Sequence, residues 1–285
     1  MEMVMTKASF AARSGRIRIA AVLAALLALG ATGCDKLKAR DALNKGVQAY
    51  KAQQFDDAVE KFKAAKELDS TLLNARLYLA TAYSSLYVDG SPTPANLAKG
   101  NHAVTEFQEV LTVSPTNLSA IDGLGSILYR MGGQPFDPKK LEESRSFHMQ
   151  HIKISPNDPD PYYWVGVIDW LLSFRANATM RSEFNSSSPR KPLKESDPLP
   201  AKLREEFASK YTADIDEGIT HLNKAIELRP DYGDAMAYLN LLDRQKADQV
   251  DSAADRDKFL ADADALIEKV KVINQKKLEK AQPQG

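Results

Sequence analysis

Two sets of residues recur along this chain with the same irregular spacing. Small residues in apolar helical surroundings, Gly46, Ala80, Gly125, Gly166 and more weakly Asn240, lie 34, 45, 41 and 74 residues apart. Ser70, Pro115, Pro156 and Pro230, each ending a helical stretch, lie 45, 41 and 74 residues apart. Two independent markers with one irregular series mean that a helix pair repeats. They also place the extra 11, 7 and 40 residues of the second, third and fourth copies between the first helix (A) and the second (B) of a pair. Such units stack side by side, and insertions at one register crowd one edge of the stack.

The first copy shows what is repeated. Ala58, Phe62, Ala65 and Leu68 recur at helical spacing along its second helix, and Gly46 sits where the first helix approaches a neighbour closely. Small residues stand at its eighth, twentieth and twenty-seventh positions (Gly46, Ala58, Ala65) and aromatics at the twelfth, seventeenth and twenty-fourth (Tyr50, Phe55, Phe62). It closes on Glu67-Leu68-Asp69-Ser70. This pattern resembles the tetratricopeptide repeat, with Ser70 where that family usually has proline. The resemblance implies an all-α fold, a right-handed α-solenoid of about five helix pairs with loop insertions between helix A and helix B. The repeats then fall at 39–72, 73–117, 118–158, 159–232 and 233–280.

Composition agrees with helices. Only 14 Gly and 14 Pro among 285 residues, 44% of them hydrophobic, leave long Ala/Leu/Lys/Glu-rich segments. Beyond residue 33 the chain has 34 basic and 37 acidic side chains, which gives no electrostatic support for a nucleic-acid partner.

Breakers mark the insertions. Val88–Pro94 and Gly132–Pro138 read as loops. The longest insertion, 173–212, contains Ser186–Pro192 and Asp197–Pro200, which predicts irregular chain followed by a short helix over 201–210. A loop of this length is functional or disordered. The second helix of that repeat is expected from Ile215 to Leu228, and a fifth helix A covers 235–243. After a polar break at 248–255 comes a terminal helix with Phe259, Ala263, Leu266, Ile267, Val270 and Ile273 on one face. Residues 281–285 form a tail.

The N-terminus has the parts of an export signal: Lys7, Arg13, Arg16 and Arg18, an apolar run from Ile19 to Leu29, and then small residues. Eleven apolar residues are too few to span a bilayer as a permanent helix. The single cysteine, Cys34, follows directly. Ala31-Thr32-Gly33-Cys34 resembles a bacterial lipoprotein box, with Ala31 where the box usually has Leu. That resemblance implies a signal peptide at 1–33, lipidation of Cys34, a tether at 34–38 and a place on the periplasmic face of a bacterial membrane. Ala31-x-Gly33 also satisfies an ordinary small-x-small cleavage rule, which would leave a soluble periplasmic or secreted protein with a free thiol. Either way no internal disulfide can form, so packing alone must stabilise the fold.

The chain carries no phosphate-cradling glycine loop, dinucleotide fingerprint, H-E-x-x-H or paired C-x-x-C. His148 and His151 could share a helix face toward a metal, but two packing histidines are the commoner reading of such a pair. Adjacent acids such as Glu142-Glu143 and Glu205-Glu206 point in different directions and make poor acid/base partners. Asn177-Ala-Thr and Asn185-Ser-Ser match a glycosylation sequon by accident in a chain with a bacterial-style leader. We therefore expect a non-enzyme without cofactor or metal.

What remains is a surface. In tetratricopeptide proteins helix A lines a concave groove, at positions that fall here on Arg40, Tyr50, Lys51, Asn74, Thr81, Asp122, Tyr129, Arg130, Tyr163, Trp170 and Arg244. Val167 occupies another. Aromatic anchors mixed with polar groups suit a protein or peptide partner, and the family's paired Lys/Asn clamp for a C-terminal carboxylate is missing. The expected role is a cell-envelope scaffold or adaptor, in assembly or secretion. The alternative is a structural repeat whose groove is filled by its own 173–212 segment and which acts through its edge or by self-association. The stretches 161–170 and 227–248 further resemble an exported tetratricopeptide family common in acidobacteria-type genomes, which sharpens the fold and leaves the role open.

Overall fold

The computed structural model describes residues 34–188 and 191–281. The expected leader at 1–33 and all but the first residue of the tail lie outside them. The described residues form ten helices and no strand, joined in two compact units.

The first unit contains α1 (34–51), α2 (Phe55–Leu68), α3 (Leu73–Leu86) and α4 (Pro94–Val113). The described residues of α1 run from Cys34 onward, so the expected tether at 34–38 is helical. Gly46 lets α1 and α2 touch: a Cβ there would lie 2.5 Å from the Phe62 ring, which is 1% exposed. Ala80 holds the equivalent place in α3 and is fully buried.

The second unit contains α5 (Leu118–Gly133), α6 (Pro138–Ile154), α7 (Pro159–Ser187), α8 (Ala201–Leu228), α9 (Gly233–Ala247) and α10 (Ala253–Ala281). The proline-bearing loops are helix starts. The Asp137 carboxylate accepts from the Lys139 and Lys140 amides, Asp158 accepts from the Asp160 amide, and Pro138 and Pro159 follow at the first helical position. There a missing N–H costs nothing. The close-approach glycines recur: a Cβ at Gly125 would meet the His148 ring at 2.6 Å, and one at Gly166 would meet Leu222 Cγ at 2.4 Å. At the fifth equivalent position Asn240 donates from Nδ2 to the Ala263 carbonyl of α10 at 2.6 Å. A hydrogen bond there does the work that bare contact does at Gly166.

The long insertion differs from expectation. Residues 173–187 continue α7, and 201–212 begin α8 without a break before Ile215. Helix breakers are confined to 189–200, so the helix runs on to the first proline. Ala176 and Met180 on the α7 extension, and Phe207 on the α8 extension, join the core of Ile215, Leu222, Leu239 and Leu242. The described irregular chain between the two helices is fastened. Leu199 is 2% exposed in that core, a burial worth roughly 1.5–3 kcal/mol. Asn185 and the Leu193 backbone exchange two hydrogen bonds of 3.0 and 2.6 Å.

Candidate functional site

In the first unit the candidate positions make a polar face. Arg40, Lys51 and Asn74 are exposed. The Tyr50 hydroxyl is 2.9 Å from Ser85 Oγ, its ring rests on Phe55 at 5.1 Å, and Thr81 Oγ1 donates to the Leu77 carbonyl of its own helix. Tyr50 and Thr81 are thus tied to the scaffold.

The second unit brings aromatic residues together. Tyr129 on α5 lies 5.2 Å from Trp164, Trp164 5.2 Å from Tyr163, and Tyr163 5.7 Å from Tyr238 on α9. From Tyr238 the row passes to Trp170 at 5.2 Å and on to Phe174 at 5.2 Å. Three predicted anchors, Tyr129, Tyr163 and Trp170, therefore belong to one half-buried run of rings across three A helices. The run depends on Trp164 and Tyr238, which the family's groove positions do not include. Both stand at the sixth place of their repeats, and helical periodicity alone could have put them beside the fifth. Val167, expected on the groove, is 1% exposed and belongs to the core side of α7.

The polar candidates are largely engaged. Asp122 Oδ1 lies 2.6 Å from His151 Nδ1; burial pushes this carboxyl up, although His151 pulls it down. Arg130 pairs with Asp89 at 2.8 Å, and Arg244 with Asp264 at 2.5 Å. His148 stacks on Trp164 at 5.9 Å and burial pushes it down to about 4, so it is neutral at ordinary pH. His148 and His151 thus serve different partners. Among the described residues no group of three His, Cys, Asp or Glu could hold a metal.

Beyond Trp170 the row opens into a cleft of about 1000 Å³. One wall is the α7 extension and the chain after it (Phe174, Asn177, Arg181, Leu193), and the other is α9 and α10 (Leu241, Gln245, Asp248, Leu260). Residues of 173–212 thus border an open space at the end of the aromatic row. Arg181 binds the walls together: it donates to Asn177 Oδ1 at 2.7 Å, to the Lys194 and Asp197 carbonyls at 2.9 and 3.0 Å, and to Asp248 Oδ2 at 2.8 Å. Asn177 Nδ2 also donates to Asp248, at 3.0 Å. A cation buried to 8% exposure is tolerable because nearly all its donors have partners. The sequence carried no signal for this node, since its acceptors include backbone carbonyls that only folding brings near.

No family model matches the sequence, and no curated protein matches it. Solved structures do resemble the fold. MamA from Desulfovibrio magneticus RS-1, from residue 41 onward, aligns with a TM-score of 0.54 and 16% identity, covering 84% of this chain and 96% of that one. A second MamA crystal structure aligns with a TM-score of 0.54 and 14% identity, covering 87% and 98%. At such identities the likeness speaks for architecture alone, and it agrees with the helix pairs: the chain has an all-α, tetratricopeptide-like solenoid fold.

Proposed function

We propose that this protein is a non-catalytic adaptor that holds a protein or peptide partner along the A-helix face of its second unit. One observation carries the reading: a row of half-buried rings on α5, α7 and α9 that leads into a cleft of about 1000 Å³. Aromatic side chains supply large contact area at low entropy cost and dominate binding hot spots. Among its described residues the first unit presents separate ring pairs and no comparable row, and it serves as support. Because 173–212 borders the cleft, a self-filled groove is the weaker reading.

The adaptor works outside the cytoplasm, held to a membrane through Cys34. The basic and apolar segments ahead of Cys34 support this, as does the resemblance of 161–170 and 227–248 to an exported repeat family. Cys34 is exposed on α1, and among the described residues no helix is long and apolar enough to cross a membrane. Anchoring there would hold α1 against the bilayer surface.

The test is capture from envelope extract by residues 35–285, beside a Tyr129→Ala/Trp170→Ala variant whose helicity is checked by circular dichroism. A discrete protein retained by the first and lost by the folded variant supports the reading. Equal capture by both, or none by either, refutes it.

A further inference from the structure

Three arginines line the cleft beyond Trp170, and they differ in what they meet. Arg181 has Asp248 as its counter-ion and acceptors for nearly all its donors. Arg244 pairs with Asp264 at 2.5 Å, both side chains being well exposed. Arg256, in the opening turns of α10, is half-buried, and among the described residues no carboxylate lies within 4 Å of its guanidinium. Its Nη2 donates to the Ser196 carbonyl at 2.9 Å, while its Nε is sealed from solvent without an acceptor. Its Nη1 reaches solvent and makes no hydrogen bond among the described residues. A guanidinium offers five N–H donors and a full charge. One carbonyl answers little of either.

The acids of the cleft do not fill this place. Asp248 is committed to Arg181 and Asn177. Glu195, exposed on the chain after α7, has neither an ion pair nor a hydrogen bond among the described residues. The lining thus mixes both signs, and the unmet charge is local to Arg256. Apolar surface lines the same space: Leu260 stands one turn beyond Arg256 on α10, and Trp170 and Phe174 stack at 21° on the facing wall.

We infer that this cleft receives an aspartate or glutamate side chain of the bound peptide, paired with Arg256, while an apolar neighbour of that residue packs on Trp170 and Phe174. The inference rests on the docking reading above and names the partner's chemistry. A carboxylate accepts N–H bonds from a guanidinium and supplies the charge that a half-buried cation otherwise lacks. A phosphate group carries roughly −1.5 to −2 and would bring the excess toward Asp248 and Glu195, so the single charge of a carboxylate is the better match. Glu195 opposes even that ligand, weakly, because water screens an exposed charge.

The probe is a phage-displayed random peptide library selected on residues 35–285. Selected peptides should be enriched in Asp or Glu beside an aromatic or aliphatic residue. The best of them, resynthesised with an amidated C-terminus so that its only carboxylates are side chains, should lose about tenfold in affinity when its acid becomes Asn or Gln. Arg256→Gln should cost a similar factor, and against that variant the peptide's own substitution should cost nothing further, a coupling that a merely structural Arg256 would not show. Glu195→Gln, at an exposed position without partners among the described residues, should tighten binding about twofold. Peptides that are lost with Tyr129→Ala/Trp170→Ala but show no acidic enrichment would leave the docking reading standing and overturn the carboxylate site. Acidic peptides whose substitution costs as much against Arg256→Gln as against the wild type would overturn it as well. Should Arg256→Gln not fold, the wild type and Glu195→Gln decide: no loss from the peptide's substitution, or no tightening with Glu195→Gln, overturns the site. A library that yields no binder would overturn the docking reading itself.

Discussion

Gly166→Ala tests how closely α7 and α8 are joined beneath the aromatic row. The added Cβ would lie 2.4 Å from Leu222 Cγ and 2.9 Å from both its methyls, against about 3.5–4.0 Å for an ordinary carbon contact. Leu222 is fully buried in the cluster with Phe207 and Ile215, so it has no empty space to enter. Helix propensity favours Ala over Gly by about 1 kcal/mol. Overpacking costs about 1–3 kcal/mol and occasionally more, and a clash exceeding 1 Å belongs at the upper end. The expected net loss is therefore about 1–2 kcal/mol. Gly133→Ala is the control, because a Cβ there meets nothing within 4 Å. It should be neutral or stabilise by up to about 1 kcal/mol. Leu222→Ala alone should cost about 2–5 kcal/mol, and combined with Gly166→Ala it should cost less than the two separately, since the new methyl occupies vacated space. Urea unfolding followed by far-ultraviolet circular dichroism measures all four variants. A Gly166→Ala protein as stable as Gly133→Ala, or strict additivity in the double variant, would refute the packing argument.

Arg181→Ala should destabilise by about 3 kcal/mol, because it takes the counter-cation from the mostly buried Asp248; it should also speed tryptic cleavage at Lys194, read by mass spectrometry. Burial, with Asp262 adding to it, pushes Asp243 up to about 6. Its contribution is present below an unfolded value near 3.8 and is lost as pH rises through about 6. Relative to Asp243→Asn, the wild type should therefore lose roughly 1–2 kcal/mol between those limits after solvent screening. Buried His148 acts in the opposite sense, its contribution being lost as pH falls from 6.5 toward about 4, and it cancels in the difference between the two proteins' pH profiles. Cys34→Ser should abolish incorporation of radiolabelled palmitate and release the protein from membranes; labelling that persists in the variant would exclude Cys34 as the anchor.

Much of this molecule was legible because its information is periodic. Gly46, Gly125 and Gly166 announce close helix contacts, since a side chain at those places would collide with the facing helix. Tyr129, Tyr163 and Trp170 stand at repeat positions that fall on one face, and the structure joins them. Trp164 and Tyr238 stand one place beyond a family groove position, where only helical periodicity points to them. The long insertion was less legible: spacing along the chain gives its length but not whether it continues the helices on either side, as 173–187 and 201–212 do. Val167 turned inward because α7 packs on both α6 and α8.

By itself the sequence determined the helix pairs, their order and the register of their insertions, because these follow from local spacing and breaker residues. It also determined the unusual place of the one cysteine. The tertiary structure alone decided that the extended α7 and α8 wall a cleft, and that Arg181 meets Asp248 across 67 residues of chain. Those outcomes depend on which backbone carbonyls and side chains arrive beside one another once the helices stack, and no spacing along the chain encodes that.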